Sequence, residues 1–288
     1  DAARLGFTGL ANFQSLVENA TSQGISGGNP NLQNETADAW TVGVIIEPNF
    51  IPRLAFAVDY VNIKIADAIS NLNLTAILAA CYDQDPSNFP NDFCNRFERG
   101  AGNLGQDAFQ ILDGFQSGYE NAGSNEFQGV TAVLNYVMDI NRTLSNGDGD
   151  WGELAISGSV FRLIEQDSSV TGFDRIETFG EIGNSKWKGQ LNLNWNSGPY
   201  GLLWQTRYIG PAAFSTDDSD ESRDILGVGD YWLFNAGVQV RPTDNFEFQL
   251  NVDNVFDKQQ PLAVGASANF FAYDQIGRFY RATARLRF

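Results

Sequence analysis

Apolar and polar residues alternate along much of the chain, most regularly in its second half. Between Trp187 and Trp195, tryptophan, glycine and leucine occupy every second position, and lysine, glutamine and asparagine lie between them. A repeat of two places successive residues on opposite faces of a β-strand. The same repeat recurs over Tyr200–Tyr208, Trp232–Arg241, Phe246–Asp253 and Tyr280–Phe288. The pattern therefore predicts long strands, each with one apolar and one polar face.

Four earlier runs alternate less cleanly and bring the prediction to about nine strands. They lie near residues 40–47, 53–65, 127–138 and 152–163. The connections between the runs alternate in length. Short turns are expected at residues 47–52, 141–150, 196–199 and 242–245, and long segments at roughly 67–125, 165–185, 210–229 and 256–275. This alternation is typical of a meander of antiparallel hairpins, with tight turns at one rim and functional loops at the other.

The chemistry of the two faces favours a membrane setting. The polar face is rich in asparagine, glutamine and arginine, whereas the other face has aromatic residues near the ends of the runs and small aliphatic residues between them. Aromatic girdles around an apolar band, with a polar lumen, characterise outer-membrane barrels. We therefore predict an all-β fold, a transmembrane antiparallel β-barrel. Bacterial barrels have even strand numbers, so residues 1–288 are expected to form the C-terminal portion of a larger barrel, about nine to ten strands, unless the count is one short.

Charge and composition exclude several classes of function. The chain has 35 acidic and 18 basic residues, a net charge of −17, and no histidine. So acidic a chain offers no basic patch to phosphates, which argues against a nucleic-acid partner. No nucleophile–base pair and no metal-ligand cluster is recognisable, so we expect no enzyme, no cofactor and no resident metal. No signal peptide opens the chain and its first residue falls within a pattern, so we expect a processed or truncated N-terminus.

Three motifs and the last residue resemble the TonB-dependent outer-membrane receptors. Residues Gly28–Thr36 (GNPNLQNET) are similar to the GNPxLxPET element of that family, with Asn34 in place of the second proline. Residues Asn251–Lys258 resemble the NLFDK segment of the penultimate strand, and Tyr273–Tyr280 resemble the YDxxGRxY segment that leads into the last strand. Phe288 matches the aromatic end that the barrel-assembly machinery recognises.

The resemblance covers essentially the whole chain and implies the C-terminal part of a barrel with twenty-two strands. It implies an outer-membrane receptor of a Gram-negative bacterium for a scarce nutrient, most often a ferric siderophore or similar large chelate, energised by TonB acting on a plug domain. The plug, the TonB box and the N-terminal strands would lie outside this chain. Implied partners are TonB, the barrel-assembly machinery, lipopolysaccharide and outer-membrane lipid, and a small-molecule ferric chelate. The alternatives left open are a plugless porin-type barrel and a soluble or surface β-sheet module for binding or assembly.

The two cysteines, Cys81 and Cys94, lie 13 positions apart in a loop-like stretch. An even count is compatible with one disulfide in an oxidising compartment, and the resemblance implies such a pair in the surface loop between the second and third strands. The bond would stiffen either a loop that contacts ligand or an exposed loop that must resist proteases. The preceding stretch, Ala68–Ala80, is expected to form a short helix over a small core of that loop.

Two sets of charged residues are candidate contacts. One is an acidic run in a long loop, which would attract a cation or cationic ligand, or stay solvated and bridge to lipopolysaccharide through divalent ions. The acidic run contains Asp217, Asp218, Asp220 and Glu221. The other set projects from the polar face, where it would line a path for an anionic chelate or hold the plug by salt bridges. These lumen-facing candidates are Arg207, Arg241, Glu247, Asp253 and Arg281.

The apolar face of the last run is a candidate assembly signal. The resemblance implies that the barrel-assembly machinery reads this face during insertion. Its residues are Tyr280, Ala282, Ala284, Leu286 and Phe288.

Overall fold

A computed structural model of the chain describes residues 23–82, 87, 89–101, 109–141, 151–170, 176–261 and 273–288. In this part of the chain no helix is both long and apolar enough to cross a membrane. The predicted turn at residues 141–150 lies outside the described residues except for Asn141.

Strands dominate the described residues. In chain order they are β1 (Gly24–Gly27), β2 (Thr36–Ile46), β3 (Leu54–Leu72), β4 (Phe115–Asp139), β5 (Glu153–Val170), β6 (Ile176–Glu177), β7 (Trp187–Ser197), β8 (Tyr200–Ile209), β9 (Ala212–Ala213), β10 (Gly227–Val228), β11 (Tyr231–Thr243), β12 (Phe246–Asp253) and β13 (Phe279–Leu286). One α-helix, α1 (Leu74–Tyr82), and a short 3₁₀-helix (Asp92–Arg96) lie between β3 and β4.

Nine long strands lie side by side in the order β2-β3-β4-β5-β7-β8-β11-β12-β13. The pairs from β5 to β13 are antiparallel, and their registers are continuous apart from one irregularity between Val240 and Thr243. The short β1 pairs in parallel with the start of β4. The prediction of an all-β antiparallel meander of about nine strands is therefore confirmed, and β2 and β13 are the outermost strands of this order.

The chain divides into two compact units. The first, here the loop unit, contains Asp1–Asp38, Lys64–Glu126 and Asp167–Ile176. The second, here the wall unit, contains Ala39–Ile63, Phe127–Gln166 and Glu177–Phe288.

The strands of the wall unit have one outward face that exposes large apolar side chains. Leu191 lies opposite Thr206, and Trp195 lies opposite Leu202, on this face. Such exposure in water would be a liability for a sheet this wide, whereas lipid solvates it. Three indole N–H groups on this face have acceptors within the chain. Trp204 donates to Thr206 Oγ1 at 3.1 Å, Trp195 to the Trp151 carbonyl at 2.8 Å, and Trp232 to Asp230 Oδ2 at 2.8 Å. Exposed members of the face include Val160, Trp187, Leu191, Leu202, Trp232, Val238, Phe248, Leu250 and Tyr280.

An aromatic cluster occupies the outward face of β8 and β11. The ring centroids of Tyr208 and Trp232 are 4.5 Å apart, and those of Trp204 and Phe234 are 5.8 Å apart. Phe256, from the connection after β12, packs edge-on against Phe234 at 5.2 Å. The aromatic residue of the NLFDK-like segment thus covers the outward face near the long-loop end of these strands.

Three strands are longer than the sequence pattern predicts. β3 has 19 residues, β4 has 25 and β5 has 18, whereas about 9–11 residues cross a bilayer. The expectation that residues 67–125 form one long loop is therefore wrong at both ends, because β3 continues to Leu72 and β4 begins at Phe115. These extensions carry serine, asparagine and glutamate on both faces. They lack apolar alternation, so the periodicity does not reveal them.

The expected helix over Ala68–Ala80 is also shorter than predicted at its start. Residues up to Leu72 belong to β3, and α1 begins at Leu74. Asn73 caps the helix, since its Oδ1 accepts from the backbone N of Ala76 at 2.8 Å. An asparagine that satisfies a free N–H at this position is a strong start signal, and it places the helix where the strand ends.

The connection between β12 and β13 is fastened by the side chain of Asn254, which is 1% exposed. Its Nδ2 donates to the Lys258 carbonyl at 2.9 Å and to Asp274 Oδ2 at 3.1 Å, and its Oδ1 accepts from Lys258 N at 2.7 Å. Its own backbone N donates to Asn235 Oδ1 at 2.8 Å. A single amide therefore closes the turn and joins it to the segment before β13.

A second hydrogen bond joins the NLFDK-like segment to the YDxxGRxY-like segment. Asp257 Oδ1 accepts from the backbone N of Arg278 at 2.9 Å. Gly277 has φ +79°, and a Cβ there would lie 3.0 Å from the same Asp257 oxygen. The glycine of the YDxxGRxY-like segment thus permits both the left-handed backbone and the close approach of the carboxylate.

We expect Asn254→Ala to lower the free energy of unfolding by about 2–4 kcal/mol. The substitution leaves Lys258 and Asp274 with unmet hydrogen-bonding groups and places a Cβ-bearing residue without a side-chain amide at φ +53°. Thermal unfolding of the folded protein in detergent measures the effect. Asn245→Ala is the matched control, because Asn245 is exposed in the turn between β11 and β12. Equal midpoints for the two variants would contradict this role of Asn254.

Candidate functional site

The inward face of the wall unit is lined by amide side chains that bond to one another across strands. Gln205 Nε2 donates to Asn192 Oδ1 at 2.9 Å, and Asn235 Nδ2 donates to Gln205 Oε1 at 2.8 Å. Asn192 Nδ2 extends the chain to Ser157 Oγ at 3.5 Å, and Asn235 ends it on the backbone N of Asn254. This amide ladder crosses β5, β7, β8 and β11, so the polar face is held in one arrangement.

Four of the five predicted lumen-facing residues form ion pairs on this inward face. Arg241 Nε lies 3.1 Å from Glu247 Oε2, and Arg281 Nη2 lies 3.0 Å from Asp253 Oδ2. Glu247 also lies 4.0 Å from Arg285 Nη1. Arg241, Glu247 and Arg285 therefore compensate one another near the short turns, where they border a cleft of about 900 Å³. The Arg281–Asp253 pair lies at the long-loop end of β12 and β13.

Arg207, the fifth candidate, lies at the long-loop end of β8. It pairs in register with Gln190 of β7, and it borders a cleft of about 470 Å³ together with Lys188 and Ser185. Lys188 Nζ donates to the Gly183 carbonyl at 2.5 Å. Within the described residues neither cation has an ion-pair partner.

A second cleft, of about 480 Å³, lies on the other side of Arg207 and includes Asp253, Tyr273 and Asp274. The Tyr273 hydroxyl is buried and has no hydrogen-bond partner among the described residues. Burial raises the pKa of the Tyr273 phenol, so this hydroxyl stays protonated and remains a donor at neutral pH. Both carboxylates are engaged elsewhere, Asp253 with Arg281 and Asp274 with Asn254.

The acidic run does not form a convergent cation site. Asp218 pairs with Arg223 at 3.5 Å, and the Arg223 guanidinium lies 4.8 Å from the centre of the Phe214 ring. The other three carboxylates, of Asp217, Asp220 and Glu221, are exposed. Among the described residues none of the four belongs to a group of three acidic side chains close enough to share an ion. Their role as ligand or cation contacts stays a prediction.

In the loop unit, Cys81 of α1 and Cys94 of the 3₁₀-helix form a disulfide, with their Cα atoms 4.9 Å apart. The bond lies against a core that the loop makes for itself. Asn91 adds a second link, because its Nδ2 donates to the Ala80 carbonyl at 2.8 Å while its Oδ1 accepts from Phe93 N at 3.0 Å. The buried members of this core are Leu72, Leu74, Ile77, Cys81, Tyr82, Phe97 and Ile111.

Arg99 packs against one side of this core and donates hydrogen bonds to it. Arg99 Nε donates to the Tyr82 hydroxyl at 2.8 Å, and its Nη1 donates to the Phe109 carbonyl at 2.8 Å. The guanidinium also lies over the rings of Tyr82 and Phe97, at 5.1 and 5.7 Å from their centres. The loop is thus a small folded element, with buried aromatic and polar contacts in addition to its disulfide.

The family model for the TonB dependent receptor-like β-barrel matches residues 3–255. The chain belongs to this family. No curated protein sequence matches the chain.

Three solved structures share the fold. The siderophore receptor PirA from Acinetobacter baumannii aligns over 91% of this chain with a TM-score of 0.57 and 13% identity. The ferric enterobactin receptor PfeA from Pseudomonas aeruginosa aligns over 91% with a TM-score of 0.55 and 16% identity. The FrpB iron transporter from Neisseria meningitidis aligns over 92% with a TM-score of 0.51 and 14% identity. In each case the chain spans 33% of the other protein, so it corresponds to about a third of those receptors.

The GNPNLQNET element of this TonB-dependent receptor chain has a structural role in the loop unit. Asn29 Nδ2 donates to the Tyr119 carbonyl at 3.1 Å, and Gln33 exchanges two hydrogen bonds with Asn121. Glu35 Oε1 accepts from the backbone N of Ile69 at 2.6 Å. The polar residues of the motif thus fasten the segment before β2 to β3 and β4. Asn34, at the position where the motif has proline, takes part in none of these four hydrogen bonds.

The last strand places its candidate assembly residues on the outward face. Tyr280, Ala282, Ala284 and Leu286 lie opposite Val252, Leu250, Phe248 and Phe246 of β12. All of these β13 side chains and Phe288 are exposed. Recognition of this face by the assembly machinery stays a prediction.

Sequence reasoning missed three side chains of the Arg207 region. Lys188 was visible on the polar face but was not singled out, because a lone lysine in an alternating run has no special signal. Ser185 and Tyr273 become notable only through burial, since Ser185 is 0% exposed and Tyr273 8%. No sequence pattern marks a hydroxyl that lacks a partner.

We expect the double variant Cys81→Ser/Cys94→Ser to open the loop between these positions without unfolding the wall unit. Closing a loop of about a dozen residues by a disulfide contributes about 3 kcal/mol in the chain-entropy model. Limited proteolysis with mass spectrometry should show new cleavage between residues 81 and 94. Reduction of the unsubstituted protein should reproduce it. An unchanged fragment pattern would show that the aromatic core and Asn91 hold the loop without the disulfide.

Proposed function

We propose that the chain is the C-terminal part of an outer-membrane active-transport receptor for a scarce nutrient. The observation that carries the proposal is the two-faced sheet of the wall unit. One face exposes aromatic and aliphatic side chains suited to lipid, and the other is a hydrogen-bonded wall of amides and ion pairs suited to a polar lumen. The family match supports this assignment. In this proposal a plug and further barrel strands would be supplied by segments outside the given residues.

The substrate we propose is a ferric siderophore or similar large chelate. The similar solved structures are, by their own names, a ferric enterobactin receptor, a siderophore receptor and an iron transporter. The inward face of this chain has the properties that such a substrate needs, because it offers many neutral donors and acceptors and two uncompensated cations near the long loops.

The partners follow from this role. TonB would act on the plug, and the barrel-assembly machinery would insert the protein through the outward face of β13. Lipid and lipopolysaccharide would contact the apolar band and the acidic run at the long-loop rim. The disulfide-bonded loop would serve as a protease-resistant surface element, since its own core occupies the side chains that a ligand would otherwise contact.

Transport tests the proposal directly. A strain that lacks the full-length receptor, complemented with the gene that encodes it, should take up radiolabelled iron from a ferric chelate only when TonB is present. The intact mass of the polypeptide from the outer membrane should be about two to three times the 31.6 kDa of this chain. Passage that does not require TonB would favour a plugless porin instead. Monodisperse protein in the absence of detergent would favour a soluble β-sheet module.

We expect Phe288→Ala to reduce the amount of folded receptor in the outer membrane several-fold. Phe288 is fully exposed, so we attribute the expected loss to recognition during assembly. Heat-modifiable mobility on gels of outer-membrane fractions measures the folded amount. Phe50→Ala is the control, because Phe50 is an exposed aromatic side chain in a tight turn. Equal losses in both variants would argue against an assembly role.

A further inference from the structure

Two cations, Lys188 and Arg207, stand close together on the inward face. Lys188 pairs with Ile209, and Arg207 lies two residues before Ile209 on the same face. Diagonal neighbours of this kind are about 7–8 Å apart. The like charges would repel each other, and no ion pair among the described residues offsets them. The chain as a whole has a net charge of −17, so a pair of neighbouring cations on this face contrasts with the overall negative charge.

The cleft beside these cations contains a donor that has no partner. Ser185 is 0% exposed, lines the same cleft as Lys188 and Arg207, and its Oγ makes no hydrogen bond among the described residues. A buried hydroxyl without a partner costs free energy, and a ligand that supplies an acceptor would remove that cost. Gln190 and Thr131 add further polar groups to the lining.

Arg207 also borders a second cleft, and that cleft likewise contains a buried hydroxyl without a hydrogen-bond partner. The buried Tyr273 hydroxyl also lacks a partner and lines the cleft that Arg207 shares with the segment before β13. The two carboxylates in this second cleft are held by Arg281 and Asn254. Arg207 is thus flanked by two buried hydroxyl donors, and its guanidinium remains available for a charge-assisted hydrogen bond.

We propose that Lys188, Arg207 and Ser185 form a subsite for an anionic oxygen group of the transported chelate, with Tyr273 as an additional donor. The assignment rests on the proposed receptor function. It adds that the subsite distinguishes chelates by their net charge. Anionic chelates, whose catecholate or carboxylate oxygens accept from the guanidinium, would be bound in preference to neutral hydroxamate chelates of similar size.

Binding assays on the purified full-length receptor test the subsite. The probes are ferric enterobactin and ferric citrate, which are anionic, and ferrichrome, which is neutral. Arg207→Gln and Lys188→Gln should each weaken binding of the anionic chelate that the receptor takes by about tenfold or more. Arg207→Lys should restore part of the loss. Arg162→Gln is the matched control, because Arg162 lies on the neighbouring strand with its guanidinium over the outward-facing Trp187.

The outcomes separate this proposal from the receptor function. If the unsubstituted receptor binds none of the three chelates, the proposed function fails and the subsite with it. If it binds only ferrichrome, the receptor function stands and the subsite is wrong. If Arg207→Gln and Lys188→Gln bind the anionic chelate as tightly as the unsubstituted receptor does, the subsite is likewise wrong. If they lower the unfolding temperature of the ligand-free receptor without weakening chelate binding, the cations serve to hold the plug, which also overturns the proposal.

Discussion

The buried amide of Asn254 is the contact on which the order of the C-terminal strands depends. It closes the turn after β12, reaches the segment before β13 and receives the end of the amide ladder through its backbone N–H. In an apolar surrounding, each unpaired amide group would cost several kcal/mol. Asn254 makes four hydrogen bonds, three through its side chain and one through its backbone N–H, and these tie the turn after β12 to the segment before β13 and to β11.

The wall and the loop unit reach stability by different means. The wall unit turns many of its large apolar side chains outward and buries a small apolar cluster of Tyr231, Leu233 and Tyr273. Backbone pairing and the inward amide and ion-pair contacts hold much of it together. The loop unit buries leucine, isoleucine and aromatic side chains around a disulfide. The same chain thus uses polar packing where lipid is the solvent and apolar packing where water is.

The strand pattern, the alternation of turn lengths and the family could be predicted from the sequence, because lipid imposes a strict two-residue repeat on β7, β8, β11, β12 and β13. The extensions of β3, β4 and β5 could not, since outside the apolar band no solvent boundary sorts their residues by face. Of the candidate site, Arg207 was predicted from its place on the polar face. The buried hydroxyls of Ser185 and Tyr273 were not, because burial at a loop end depends on how distant segments pack.

The amide ladder has a consequence for the environments in which the protein can operate. Its members are serine, glutamine and asparagine, none of which gains or loses a proton in the range where bacteria live, and the chain contains no histidine. Protonation therefore leaves the hydrogen-bonding pattern of this part of the wall unchanged between acidic and neutral surroundings. Amide oxygens are also weak ligands for ferric iron compared with a chelator, so contact with this surface would not strip the metal from a ferric chelate.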